Sequence, residues 1–195
     1  MKLFNKFTII KIIFILLLIT LLIFPFESAG ISMLTIFVSE LLVVDVKYLI
    51  AGVIFIFICL IDLIEELIKK KKQSVTDNSK MLDSIINKLL INSTLIILSS
   101  QGFIHPVIPV IIISRDSIVS LIKTTLYSKD NLVISKLGKA KTICLKLGLA
   151  STLFYNLPFE LWNLRIADML LIIATAMSII SGVNYFEIYK NSIEK

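Results

Sequence analysis

Five residues in the first half of the chain have the types and spacing of a cation site or an acid–base site. Asp62, Glu65 and Glu66 stand at i, i+3 and i+4, so on a helix they share one face. Asp83 and Asn87, four apart, share a face of their own. Oxygen donors of this kind suit Mg²⁺, Mn²⁺ or Ca²⁺, with Asp62, Glu65 and Asp83 as the charged ligands. The bland alternative is that Asp62, Glu65 and Glu66 are interfacial acids paired along their own helix with the lysine run 69–72. Other chemistry is scarce. The one histidine, His105, sits beside Pro106 in an expected turn, which leaves no material for a His-based zinc site or a Ser-His-Asp triad. Cys59 and Cys144 lie in separate apolar stretches without C-x-x-C spacing and read as packing residues.

The elements that must hold these residues are membrane spans. Of 195 residues, 57% are hydrophobic and 17% charged, against roughly 25% charged in soluble domains, and the mean hydropathy is +0.94. A chain this short cannot hide so much apolar surface behind a wettable exterior, so residues 1–195 read as a single transmembrane domain. A span needs about 20 mainly apolar residues, and six fit: 7–26, 47–68, 80–101, 104–126, 136–155 and 163–189. Gln101-Gly102 and His105-Pro106 place a tight turn in an uncharged stretch too long for one helix. Segment 31–44 is apolar but interrupted by Ser39 and Glu40, and reads as an interfacial stretch on the outer face. The first span, with Lys2, Lys6 and Lys11 ahead of it and Ser28-Ala29-Gly30 behind, has a signal peptide as its alternative.

The net charge of +6 is confined to short stretches between apolar runs, where it encodes topology and headgroup attraction rather than nucleic-acid binding. With six spans the N-terminal lysines, the run 69–72, the basic segment 123–141 and the C-terminal lysines all share one side. The opposite loops hold Glu27, Glu40, Asp45, Glu160 and Asp168 with Lys47 and Arg165 as their cations. By the positive-inside rule both termini are cytoplasmic. A short hairpin then joins spans two and three, bringing the two acidic faces together near the cytoplasmic interface, where ionisable residues are functional candidates.

Written out, the segment is Asp62-x2-Glu65-Glu66-x2-Lys69-Lys70-x8-Ser79-x3-Asp83-x3-Asn87. It resembles, position for position, the signature D-x2-D-G-x2-A-R-x8-G-x3-D-x3-D of the CDP-alcohol phosphatidyltransferases, in a form most like the bacterial phosphatidylglycerophosphate synthases. The resemblance runs along nearly the whole chain. Asn5-Lys6-Phe7-Thr8 with Lys11 is similar to N-x-x-T-x-x-R. Val75-Thr76 and Lys80-Met81-Leu82-Asp83 are similar to V-T-N-x-G-K-x-L-D. Residues 111–116, I-I-I-S-R-D, are similar to I-I-I-A-R-E, 137–142 to L-G-K-x-K-T, and Ser181-Gly182 with Tyr185-Phe186 to S-G-x-x-Y-F.

The resemblance implies an all-α bundle of six transmembrane helices in a bacterial cell membrane. It also implies a homodimer, and a divalent cation (Mg²⁺ or Mn²⁺) at Asp62, Glu65 and Asp83. The implied substrates are CDP-diacylglycerol and glycerol 3-phosphate, with membrane lipids around them and no nucleic acid. In the family, four aspartates hold two cations on the pyrophosphate of CDP-diacylglycerol, and the last aspartate is the base for the incoming alcohol. Metal charge of that kind stabilises the transferring phosphoryl group. Arg115, Lys139 and Lys141 are the basic triplet implied to hold the acceptor's phosphate, with a solvated, positive-inside role for the two lysines as the alternative.

Six of the eight fixed positions depart from the signature. Asp becomes Glu65, one methylene longer, and Gly becomes Glu66 where the nucleotide needs room. Ala and Arg become Lys69 and Lys70, the second losing the bidentate fork, and Gly becomes Ser79. The last aspartate becomes Asn87, whose carboxamide has no basic lone pair near neutral pH. These changes predict a phosphatidyltransferase-like protein of impaired activity, with the metal lost or reduced to one. A catalytically inactive paralogue, kept as a lipid-binding, immunity or partner protein, is the second reading. A transporter-like bundle fits less well, because the acids sit at the interface and not at midplane.

Overall fold

The computed structural model describes residues 2–26, 30, 35–39, 42–72, 77–126, 136–157, 159–162 and 164–193. Six α-helices follow the apolar runs: α1 Lys2–Ile23, α2 Val46–Lys72, α3 Asp77–Ser100, α4 Val107–Leu126, α5 Lys136–Leu153 and α6 Ile166–Ile193. Val46–Ile68, Met81–Ser100 and Ile166–Lys190 are long and apolar enough to cross a membrane by length and composition, and Phe7–Ile23 is a shorter apolar helix. The 18 residues of α5 reach about 27 Å at 1.5 Å per residue, slightly short of a hydrocarbon core of about 30 Å. Its lysines further lower its hydropathy. The 27-residue α2 overshoots the same core and carries the lysine run 69–72 at its far end.

The surface is inverted relative to a soluble bundle. Ile13, Leu16, Val53, Leu121 and Ile172 are exposed, while Leu18, Phe55, Leu95, Ile112, Leu149 and Leu171 are fully buried between helices. An apolar exterior with every helix internally hydrogen-bonded is what a bilayer demands. Three buried hydroxyls are satisfied within their own helices: Thr94, Thr152 and Thr175 donate to the carbonyls of Leu90, Gly148 and Leu171. Close helix approach rests on small residues; a Cβ on Gly52 would lie 2.8 Å from the Phe154 ring.

At one end of the bundle the connections interlock. Gly102, at φ +84°, terminates α3 with Phe103 N–H donating to Leu98 O and Gly102 N–H to Ser99 O, the Schellman pattern. This is the expected turn, and Gln101 Nε2 donates across to Leu22 O at 2.8 Å. Pro109 falls in the first turn of α4, where its missing N–H leaves no hydrogen bond unmade. Segment 31–44, expected as an interfacial stretch, contains strand β1 Thr35–Ser39, which pairs antiparallel with β2 Leu42–Asp45. β-branched and aromatic residues on both sides favour that pairing. The ring of Tyr155 meets those of Tyr48 and Phe103 edge-on, and its hydroxyl accepts the Asp45 N–H at 3.2 Å, tying the hairpin to the α5–α6 connection.

Candidate active site

At the other end of the bundle, the last turns of α2 and the first turns of α3 line a cavity of about 690 Å³ with α1, α4, α5 and α6. Asp62, Glu65, Glu66, Asp83 and Asn87 all reach it, so the two acidic faces do meet as expected. Their depths differ. Glu65 is buried, Asp62 half-buried, and Glu66 exposed although it lines the cavity wall. Asn87 Oδ1 is buried and accepts no hydrogen bond among the described residues. The side chains of Lys69, Lys70 and Ser79 lie outside the described residues, although their backbones belong to α2 and α3.

Asp62 and Glu65 take partners across helices. Lys11 Nζ lies 2.7 Å from Asp62 Oδ1 and also bonds Glu65 Oε2, so one ammonium bridges two carboxylates a helical turn apart. Lys146 Nζ lies 2.7 Å from Asp62 Oδ2. Both oxygens of Asp62 are therefore held, each by its own lysine. Lys11 was marked in the sequence as one of the N-terminal lysines and as part of an N-terminal resemblance, not as a partner of the acids. Lys146 was missed, and the signal for it was present: it is a charge inside the apolar run of α5, seven residues after Lys139 and hence on the same helical face.

The basic triplet divides into parts with different tasks. Lys139 is exposed on the cavity, and Lys141 is buried with its Nζ 2.6 Å from Asp116 Oδ1. Arg115 is held on three sides. Its Nη1 donates to Asp116 at 2.8 Å, Nη2 to Ser181 Oγ at 2.6 Å and Nε to Ser178 O at 3.1 Å, while Tyr185 lies under the guanidinium. The 181–186 motif thus has a structural meaning. Ser181 and Tyr185 orient the arginine, and Gly182 leaves space for it, since a Cβ there would come 3.0 Å from Arg115 Cγ. Asp116, which clamps Arg115 and Lys141 together, was not among the expected site residues. Nor was Lys88, which lines the same wall and bonds Ser120. Cys59 and Cys144 are free thiols packed against the core.

This geometry also tests the expected divalent cation. Among the described residues no three Asp, Glu, His or Cys side chains are grouped as a cation site, and three carboxylate oxygens of Asp62 and Glu65 already face ammonium groups. A cation placed on Asp62 would sit beside two like charges in a poorly solvated site. The donor set of the described residues does not fit a divalent cation.

Paired acidic helices and a basic α4–α5 cluster thus share one cavity in a helical membrane bundle. The chain matches the family model for CDP-alcohol phosphatidyltransferase over residues 1–183, and it belongs to that family, which is generally dependent on divalent metal. It is similar to the CDP-diacylglycerol--glycerol-3-phosphate 3-phosphatidyltransferase of Bacillus subtilis, at 31% identity over 144 residues that cover 73% of this chain and 75% of that protein. Proteins of the same name from Rickettsia bellii and Rickettsia felis are 26% and 28% identical, over 73% and 71% of this chain and 80% and 78% of theirs.

Proposed function

We propose that the chain is a phosphatidylglycerophosphate-synthase-like protein of phospholipid biosynthesis whose cavity receives CDP-diacylglycerol and glycerol 3-phosphate and whose turnover is strongly reduced. The observation that carries this reading is the convergence of Asp62, Glu66, Asp83 and Asn87 with Arg115, Lys139 and Lys141 on one cavity. Lys139 and Lys141, with the remaining donors of Arg115, suit the phosphate of an acceptor alcohol. Asp83 and Asn87 flank the place where its hydroxyl must lose a proton. A carboxamide at Asn87 takes no proton there, and loss of a general base costs about 100-fold to 10,000-fold. Glu66 adds a negative charge where an anionic nucleotide would enter. Both termini on the cytoplasmic side and a homodimer belong to the same proposal, the first supported by the placement of the lysine runs and the second by family likeness.

The second reading, a catalytically inactive paralogue acting as a lipid-binding, immunity or partner protein, draws support from the two lysines seated on Asp62. Release of labelled CMP, dependent on both CDP-diacylglycerol and glycerol 3-phosphate, separates the two. Turnover by the parent should be barely above background, and Asn87→Asp with Glu66→Gly should raise it, because base and nucleotide space are separate requirements. Robust turnover by the parent, abolished by Asp83→Ala, would show a working synthase. No turnover in either form would leave the inactive paralogue.

A further inference from the structure

The two lysines on Asp62 come from different helices that line the cavity. Lys11 belongs to α1 and Lys146 to α5, and neither can reach Asp62 by accident of sequence proximity. Both are poorly exposed, with side chains at 3% and 19% of full accessibility against 15% for Asp62 and 3% for Glu65. A lysine at such depth is costly unless paired, and here the pairing is two-sided: the lysines meet the carboxylates and the carboxylates meet the lysines. Around the cavity as described, cationic side chains outnumber acidic ones six to five. The charge that a divalent cation would have to offset is already offset by the chain itself.

We propose that Lys11 and Lys146 are the resident countercations of this site, seated on the carboxylate oxygens at which a divalent cation would coordinate, so that the chain keeps its cavity without bound metal. The inference rests on the reading of this cavity as the phosphatidyltransferase pocket, and concerns how its acidic wall is neutralised. The place of Lys146 on the cavity face of α5 gives Asp62 Oδ2 a permanent partner, while Lys11 ties Asp62 Oδ1 to Glu65. Displacing either ammonium leaves two carboxylates with one cation between them, a net negative charge in a poorly solvated place. The acidic wall therefore holds its lysines more readily than it exchanges them for an ion from solution.

The experiment uses the full chain in lipid nanodiscs, with Mn²⁺ as probe. The paramagnetic resonance signal of free Mn²⁺ reports uptake, and thermal unfolding is followed in Mn²⁺ and in EDTA. The parent should leave the Mn²⁺ signal undiminished and unfold at the same temperature in both media. Lys146→Met should unfold at a lower temperature in EDTA, take up Mn²⁺ and regain stability with it. Adding Asp62→Asn to Lys146→Met should abolish the uptake. Uptake of Mn²⁺ by the parent, removed by Asp62→Asn, would overturn the proposal, and so would a folded Lys146→Met protein indifferent to Mn²⁺. If Lys146→Met does not fold, Lys146→Gln, which retains a neutral donor, replaces it under the same criteria, and the arm with the parent decides in any case. Mn²⁺ uptake reads this proposal and CMP release reads the proposed function, so either can fail while the other stands.

Discussion

Asp116 Oδ1 faces two cations at once, Arg115 Nη1 at 2.8 Å and Lys141 Nζ at 2.6 Å, and all three side chains are largely buried. The three residues carry a net charge of one, so the two ways of breaking the cluster are unequal. Arg115→Met leaves a neutral Asp116–Lys141 pair. Asp116→Asn leaves two cations side by side with a neutral amide between them. Loss of one partner from a buried pair costs about 3–5 kcal/mol, and the asparagine variant should approach that range. The methionine variant should lose less, since it leaves no uncompensated charge and its main deficit is the hydrogen bonds to Ser181 and Ser178, whose neutral acceptors remain. Thermal or denaturant unfolding of both variants in detergent checks the order. An Asp116→Asn protein more stable than Arg115→Met would show that solvent, and not Asp116, carries the charge of Arg115 and Lys141. Arg115 itself was legible in the sequence, but its clamp was not, because residues 115, 141 and 181 meet only once α4, α5 and α6 are packed.

Among the elements, the connection from α5 to α6 is the least forgiving. Tyr155 and Asn156 both adopt left-handed backbone, at φ 55° and 56°, which costs non-glycine residues free energy. The helix ends there in a Schellman pattern, with Asn156 N–H donating to Ser151 O and Tyr155 N–H to Thr152 O. The Asn156 side chain compensates. Its Nδ2 donates to Glu160 Oε2 and Leu164 O, and its Oδ1 accepts the Ala167 N–H at the start of α6. Asn156→Ala removes all of these and leaves a helix-start donor without its cap. A loss of about 2–4 kcal/mol is expected on the scale of unsatisfied buried groups, read as a lower unfolding temperature in detergent. Unchanged stability would mean that the backbone alone holds this turn. The helices themselves were legible to within a few residues because a bilayer forces apolar runs of a fixed length. The hairpin of β1 and β2 was not, since a short apolar segment outside the spans has no such length constraint to declare its conformation.

For the whole molecule the decisive feature is that the charges gathered around the cavity lie at one end. The acidic turns of α2 and α3, Arg115 and Asp116 on α4, the lysines of α5 and Tyr185 on α6 line one cavity, while the opposite end carries the aromatic cluster of Tyr48, Phe103 and Tyr155. The sequence located most of this cavity through a linear motif, yet could not pair Asp62 with Lys11 or Lys146, which are 51 and 84 residues away. The proposed orientation follows from lysine and arginine in short loops, which bias topology largely regardless of acidic residues. The run 69–72 closes α2, and Lys139 and Lys141 stand in the first turns of α5, both at the cavity end. Six crossings would then return the C-terminus to the side of the N-terminus. A reporter fused after Lys195 should be active only in the cytoplasm, and the cavity should open there, toward water-soluble glycerol 3-phosphate. Activity of that fusion on the outer side would require an odd number of crossings. The shortest helix, α5, would be the first to suspect, and a second fusion in the segment between α4 and α5 would identify it: cytoplasmic there and external after Lys195 leaves the missing crossing in the α5–α6 half.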